Sequence, residues 1–275
     1  MSRNSIPGLT FLFLFVSVAL RAQVGALLWS DEFNADGLPD STKWSYEKGF
    51  VRGGEFQYYT AGRSVNAVVA GGKLRITCRK EPFPNAAFVP GDSAWNRSRD
   101  TASYTSASIH TFKKMGFLYG RIEARAKLPR GRGTWPAIWL LGENIGAGWP
   151  ECGEIDIMEA FGAEPKAIYA TLHYAGPDGK DAPAGKKRVR KHAVRGFHTY
   201  AIDWGPDLIV WYFDGREYFR FETEPAGETF RKPFYLIMNL AFGSSWAPQV
   251  DDAALPQQFL VDYVRYYALP QEGAR

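Results

Sequence analysis

Short apolar runs separated by turn-forming residues recur along almost the whole chain. The runs are rich in β-branched and aromatic residues, and Gly, Pro, Asn and Asp lie between them. In 121–128, charged residues alternate with apolar ones, which predicts a strand with one solvated and one buried face. Asp214-Gly215 between two aromatic runs is typical of a β-hairpin. The pattern therefore predicts an all-β sandwich or barrel, with strands in the runs 26–33, 73–80, 104–112, 117–128, 134–142, 153–161, 167–176, 197–205, 208–215, 234–243 and 258–267.

The N-terminal residues follow a different pattern from the rest of the chain. Arg3 precedes an apolar run from Leu9 to Leu20, and small residues suited to cleavage follow. This order is typical of a secretory signal peptide, and a run of about 12 residues is too short to span a bilayer comfortably. We predict a cleaved leader over residues 1–22, with an uncleaved anchor as the alternative. A single catalytic domain over residues 23–275 would then be secreted, extracellular or periplasmic, without a membrane partner.

The charged residues and cysteines narrow the range of partners. The net charge is +4 and the basic residues are scattered, so we expect no nucleic-acid partner. One dense basic run, residues 186–191, is predicted to be a solvated surface loop, with contact to an anionic polymer as the alternative. Cys78 and Cys152 lie in strand-like segments, and we expect two buried, unpaired thiols. The histidines show no zinc-ligand spacing with them.

An acidic cluster interrupts one apolar segment, GEIDIMEAFG, at residues 153–162. On a regular strand Glu154 and Asp156 share a face, whereas Glu159 points to the opposite, apolar side. An unpaired carboxylate there would cost several kcal/mol. A β-bulge at residues 157–158 removes the conflict, because two bulged residues count as one and Glu159 returns to the face of the other acids.

Three carboxyl groups on one face suit acid–base and nucleophilic chemistry. Crowding raises at least one pKa, so that one carboxyl stays protonated while another is ionised. A glycosidase needs such a pair, since one carboxylate attacks the anomeric carbon and one carboxylic acid protonates the leaving oxygen. The residues alone leave two alternatives open, a calcium site and a charged binding face. Calcium is disfavoured because its ligands usually lie in loops rich in Gly, Asn and Asp.

The motif and its surroundings resemble glycoside hydrolase family 16, in particular its laminarinase-like (endo-β-1,3-glucanase) branch. The resemblance covers nearly all of the chain after the leader, in order. It rests on the segments LLWSDEFN (27–34), TKWSYE (42–47), EFQYYT (55–60), YTSAS (104–108), YGRIEARAKLPRGRGTWPAIWLL (119–141), GWPECGEIDIMEAFG (148–162), TLHYAG (171–176), WYFDG (211–215), PFYLIMNLAFG (233–243) and PQQFLVDYVRYY (256–267).

The resemblance implies a concanavalin-like β-sandwich, a jelly roll of two curved antiparallel sheets with a sugar-binding cleft on the concave face. It implies retaining hydrolysis by double displacement, with Glu154 as nucleophile, Glu159 as acid/base and Asp156 assisting the nucleophile. It implies no cofactor for catalysis. The residues that match positions lining the cleft are Trp135, Trp139, Trp149, His173 and Trp246, although Trp139 could equally belong to the core and His173 could be an ordinary polar strand residue.

The resemblance also implies a structural calcium away from the cleft. Asp262 would be its side-chain ligand, with backbone carbonyls near Glu32 and Gly72, and an ion pair between Asp262 and an arginine is the alternative.

Three segments that border the cleft in the family depart from its usual pattern here. Many laminarinases have Asn-Asn where this chain has Gly53-Gly54, Arg where it has Ser108, and Gly-Asn before a loop tryptophan where it has Ser244-Ser245. These changes predict fewer hydrogen-bond donors to the sugar, which alters specificity.

We therefore expect a monomeric enzyme that cleaves β-1,3 or mixed β-1,3/1,4 glucan. The alternatives are a β-galactan hydrolase of the agar or carrageenan type, a transglycosylase, and a non-catalytic glucan-binding lectin.

Overall fold

The computed structural model describes residues 25–189 and 195–269, so the predicted leader lies outside the described residues. Within them, strands dominate and helix is confined to four short 3₁₀ turns, Ile145–Ala147, Glu224–Ala226, Thr229–Arg231 and Asp252–Ala254. The strands are β1 Leu27–Asp31, β2 Ser45–Tyr46, β3 Gln57–Tyr59, β4 Ala67–Val69, β5 Leu74–Pro84, β6 Thr101–Ser106, β7 Ser108–His110, β8 Gly120–Lys127, β9 Thr134–Gly142, β10 Glu154–Glu159, β11 Ala167–His173, β12 Ala184–Val189, β13 His198–Trp204, β14 Leu208–Phe213, β15 Arg216–Glu222, β16 Phe234–Phe242 and β17 Gln257–Tyr267.

The strands form two sheets that enclose one core, which confirms the predicted jelly-roll β-sandwich. The first sheet runs β15-β14-β13-β8-β17-β5-β6-β3, with β1 added beside β17 and β4 beside β5. The second, which we call the cleft sheet, runs β12-β11-β10-β9-β16-β7-β2. The pairings between described strands are antiparallel except for the short parallel pair β3–β6. No helix of the described part is both long and apolar enough to cross a membrane.

The alternation in β8 divides its side chains between core and surface, as the sequence predicts. Ile122, Ala124 and Ala126 are buried in the core between the sheets. Arg121 lies on the other face, where it contacts Glu123 and Asp203. The predicted hairpin is also present, and Asp214 and Gly215 both have positive φ, at 50° and 71°. That geometry suits the tight turn between β14 and β15.

Both cysteines are buried and unpaired, as predicted. The loop predicted for residues 186–191 is wrong for 186–189, because these residues belong to β12, an edge strand paired only with β11 along the sheet. Lys186 and Lys187 are exposed on it. Charged lysines on an edge strand discourage pairing with other chains, so a basic run and a strand are compatible there. Residues 190 and 191 lie outside the described part.

Candidate active site

The predicted bulge is present in the middle of β10. Against β9, Asp156 pairs with Trp139 and Met158 with Ile138, so Ile157 is the extra residue. The pairing with β11 slips over the same interval, between Asp156 and Glu159. Ile157 and Met158 both enter the core, which leaves the acids on the opposite face.

All three acids line one cleft of about 640 Å³ on the cleft sheet. The bulge is held from beneath by the other sheet, where the buried indole of Trp211 on β14 donates a hydrogen bond of 2.8 Å to the backbone oxygen of Asp156. A bulge leaves ladder groups unpaired, and this contact satisfies one of them. The sequence pattern therefore brings Glu154, Asp156 and Glu159 together as expected.

Each glutamate accepts a hydrogen bond from a different tryptophan. Trp149, in the loop before β10, donates its Nε1–H to Glu154 Oε2 at 2.9 Å. Trp135, at the start of β9, donates to Glu159 Oε1 at 2.9 Å. Trp149 is 55% exposed, so its ring is available to a ligand while its nitrogen orients Glu154.

The electrostatics of the cluster favour a retained proton. Burial raises the pKa of Asp156 well above its usual range, and the charges of Glu159 and Glu154 raise it further. Burial and the charge of Glu154 raise the pKa of Glu159 to about 7, although Trp135 and His173 act in the opposite direction. Glu159 is thus suited to hold a proton near neutral pH, as a general acid must. Because the three groups interact, their titration belongs to the cluster as a whole.

Trp139 satisfies both interpretations that the sequence left open. Its side chain is 7% exposed and packs with Tyr235 and Ile237, yet it also lines the cleft. Its Nε1–H donates to Asn239 at 2.8 Å, and the Asn239 amide donates to the Tyr59 hydroxyl at 2.9 Å. These buried hydrogen bonds hold the Trp139 indole in one orientation at the base of the cleft.

One wall of the cleft contains an ion pair that sequence reasoning missed. Arg52 donates from Nη2 to Glu47 Oε2 at 2.5 Å, and its guanidinium lies 4.7 Å from the Trp139 ring centroid. Ser108 donates to the same Glu47 oxygen at 2.5 Å. Arg52, which precedes Gly53-Gly54, therefore places a guanidinium in the cleft wall beside these departures from the family pattern.

The remaining predicted sugar-binding residues lie at different distances from the acids. His173 on β11 pairs across from Glu154, and its Nε2 is 3.8 Å from Asp156 Oδ2. Its ring centroid is 5.5 Å from that of Trp149. Trp246 is 75% exposed and is not among the residues that line the cleft. Its backbone N–H is bound by Ser244, and a sugar-binding role for it stays a prediction.

The structural calcium stays a prediction, and the described residues show the alternative contact of its expected side-chain ligand. Asp262 on β17 forms an ion pair with Arg125, the alternative that the sequence left open. A guanidinium on a carboxylate disfavours a second cation at the same oxygen.

Among the described residues, one group has metal-ligand spacing, with ligand atoms of Glu154, Asp156 and His173 within 4.8 Å of one another. It coincides with the acid cluster. Trp149 occupies one oxygen of Glu154, and the geometry indicates no separate metal site.

We expect the folded protein to lose stability as the pH rises, because the cluster holds its protons more tightly when folded. The pKa of Glu159 is about 7 in the folded chain against 4.5 for the free side chain. Its contribution is therefore full below about pH 4.5 and is lost as pH rises through 7, a loss on the order of 3 kcal/mol. Glu159→Gln has no titrating group at this position. Its free energy of unfolding should therefore fall less than that of the wild type between pH 5 and pH 8.

Urea unfolding at both pH values measures this difference. Glu151→Gln is the matched control, since Glu151 lies in the loop before β10 and is exposed. Equal pH dependence in the wild type and Glu159→Gln would contradict the raised pKa.

Comparison with known proteins agrees with this site. The family model described as "Glycosyl hydrolases family 16" matches residues 55–265. A β-glucanase of Rhodothermus marinus is 42% identical over 257 residues, which cover 88% of this chain and 84% of that protein. A keratan-sulfate endo-1,4-β-galactosidase of Sphingobacterium multivorum is 34% identical over 89% of this chain, which spans about half (55%) of that protein.

The chain is also similar to a solved structure from work on endo-acting O-glycanases. Prominent members of the human gut microbiota express those enzymes to initiate mucin breakdown. The solved structure superposes with a TM-score of 0.84 at 35% identity, over 90% of this chain and 92% of that one. The family match spans β3 to β17 and includes the acid cluster and both tryptophans bonded to it. On these grounds the chain belongs to glycosyl hydrolase family 16 and is a glycoside hydrolase.

Proposed function

We propose that the protein is a secreted, retaining endo-β-glucanase that cleaves β-1,3 or mixed β-1,3/1,4 linkages. The observation that carries the mechanism is the pair of glutamates on one face of β10, both lining the cleft, with the pKa of Glu159 raised to about 7 by burial and by Glu154. The linkage rests on the similarity to the Rhodothermus marinus β-glucanase. Secretion rests on the leader pattern in residues 1–22.

In this mechanism Glu154 attacks the anomeric carbon while Glu159 protonates the leaving oxygen. The C–O bond breaks as the glycosyl-enzyme ester forms, and the leaving sugar departs with the proton from Glu159. Glu159, now ionised, takes a proton from an incoming water that attacks the same carbon and releases Glu154. Asp156, which retains a proton through its raised pKa, shares it with the nucleophile and limits charge repulsion in the cluster.

A β-galactan hydrolase is the second candidate, and two similarities favour it. One is the keratan-sulfate endo-1,4-β-galactosidase, and the other is the O-glycanase structure, whose description concerns mucin breakdown and not a β-glucan. The segments that border the cleft in the family also depart from the usual laminarinase pattern, with Gly53-Gly54 and Ser108 where many laminarinases have Asn-Asn and Arg. A lectin is disfavoured because all three acids are present, and transglycosylation would use the same residues with a sugar as acceptor.

The deciding experiment is to incubate the protein with laminarin, lichenan, curdlan, agarose and desulfated keratan, and to measure reducing ends. We expect hydrolysis of laminarin or lichenan, with the β-anomer as the first product by NMR. Activity on agarose or keratan alone would reject the glucanase in favour of the galactan hydrolase. An α-anomeric first product would reject retention.

A further inference from the structure

A second aspartate, outside the acid cluster, contacts the histidine beside the cleft. Asp181 Oδ2 lies 2.9 Å from His173 Nδ1, while His173 Nε2 faces Asp156 Oδ2 at 3.8 Å. A carboxylate in its ionised form only accepts hydrogen bonds, so this contact favours the tautomer in which Nδ1 carries the proton and donates to Asp181. The imidazole is therefore lined up between two carboxyl groups, one on each nitrogen.

Backbone hydrogen bonds hold the main chain at Asp181 in place independently of its side-chain contact with His173. After β11 the chain turns back, with Gly176 N–H donating to the Lys180 oxygen at 2.7 Å. Ala175 and Asp181 then form an antiparallel bridge, and Ala182 N–H donates to the Tyr174 oxygen at 2.9 Å. Asp181 Oδ1 is buried without a hydrogen-bond partner, so the His173 contact is what orients this carboxylate.

The other groups around His173 come from the elements that line the cleft. Glu154 and Asp156 face it from β10, and the Trp149 ring packs beside it from the preceding loop. A change in the proton position on His173 would therefore act on Glu154 and Asp156, the two acids whose ligand atoms lie within 4.8 Å of it.

We propose that Asp181 is a positioning residue that fixes the ring orientation and tautomer of His173, so that Nε2 presents its lone pair to the acid cluster. The hydrogen bond that one ring nitrogen makes sets the state of the other. With the Nδ1 proton held by Asp181, the Nε2 lone pair faces Asp156 Oδ2 at 3.8 Å, and no second N–H is directed at the acid cluster. The inference rests on the proposed function for its effect on catalysis, but the tautomer itself is independent of the substrate.

Asp181→Asn tests this with little change in shape. The asparagine amide can donate to Nδ1, which moves the ring proton to Nε2 and aims an N–H at Asp156. We expect kcat to fall by about 10- to 100-fold with little change in KM, as for other residues that orient a functional histidine. The pH profile of kcat/KM should change shape, and ¹⁵N NMR should show the His173 proton moving from Nδ1 to Nε2.

Two further variants make the result decisive. Asp178→Asn is the matched control, because Asp178 lies in the same turn, is exposed and bonds the Lys180 N–H; it should leave kcat, the pH profile and the tautomer unchanged. In a His173→Gln background, Asp181→Asn should have no further effect, because coupled residues are not additive. Asp181→Glu keeps a carboxylate acceptor, so it should retain part of the activity and the wild-type tautomer. Asp181→Ala, which removes the acceptor, replaces Asp181→Asn if that variant fails to fold.

An unchanged tautomer in both Asp181→Asn and Asp181→Ala would overturn the proposal, as would an equal loss of activity from Asp181→Asn in the His173→Gln background. If the wild type hydrolyses none of the polysaccharides but the tautomer still moves, the proposed function fails and the positioning role stands.

Discussion

Replacement of Glu154 by alanine is expected to lower kcat on the polysaccharide substrate by about 10⁴- to 10⁶-fold, because the covalent intermediate can no longer form. Glu154 is the first residue of β10 and is only partly buried. Its Oε2 accepts from Trp149 Nε1, which leaves Oε1 for the anomeric carbon. The measurement is the initial rate of reducing-end release at saturating substrate.

Azide separates a lost nucleophile from a damaged site. In Glu154→Ala the anion fits the space left by the carboxylate and attacks from the same face, so the product is a glycosyl azide of inverted configuration. Glu151→Ala, in the exposed loop before β10, should keep wild-type activity and give no azide product. Full activity in Glu154→Ala, or a β-azide, would reject the assignment of Glu154.

The bulge in β10 shows how far the sequence alone can predict this site. Polar residues out of phase on an apolar strand allow few solutions, since an unpaired carboxylate in the core costs several kcal/mol. The phase of Glu159 therefore predicts the extra residue, and the pairing with β9 and β11 has it at that place. Such predictions succeed because the period of a strand is a local property.

The features missed from the sequence depend on contacts between distant segments. Arg52 reaches Glu47 and Trp139 from a loop with no periodic pattern. Asp181 lies in a turn rich in Gly, Asp and Pro, and an acidic residue in such a turn is usually interpreted as solvated. The signal that could have found it is its position after β11, since a short turn returns the chain beside His173.

The error at residues 186–189 has a different physical cause. A run of basic residues disfavours a buried strand but not an edge strand, which needs one partner only. In β12, Lys187 pairs across from Tyr169 on β11 and its ammonium lies 5.3 Å from that ring centroid. It also forms an ion pair with Glu164. Composition alone cannot distinguish this from a loop, because the compensating partners come from β11 and the turn before it.

Loss of the general acid should have a second large effect, which depends on the leaving group. Glu159→Gln is expected to lower kcat/KM on polysaccharide by about 10²- to 10⁴-fold. An aryl glycoside with a leaving group of low pKa needs no proton, so formation of its glycosyl-enzyme should remain close to the wild-type rate. Pre-steady-state release of the phenolate measures that step alone.

The pH dependence gives the same assignment independently. Glu159 must be protonated to act as an acid, and burial together with Glu154 raises its pKa to about 7. Wild-type kcat/KM should therefore fall as pH rises above about 7, and this alkaline limb should be absent from Glu159→Gln acting on the aryl glycoside. Because Trp135 donates to the same carboxylate, Trp135→Phe should move the limb to higher pH, since it removes a hydrogen bond that favours the ionised form. A limb that persists in Glu159→Gln would assign the acid to another member of the cluster, with Asp156 the next candidate because its pKa is also raised.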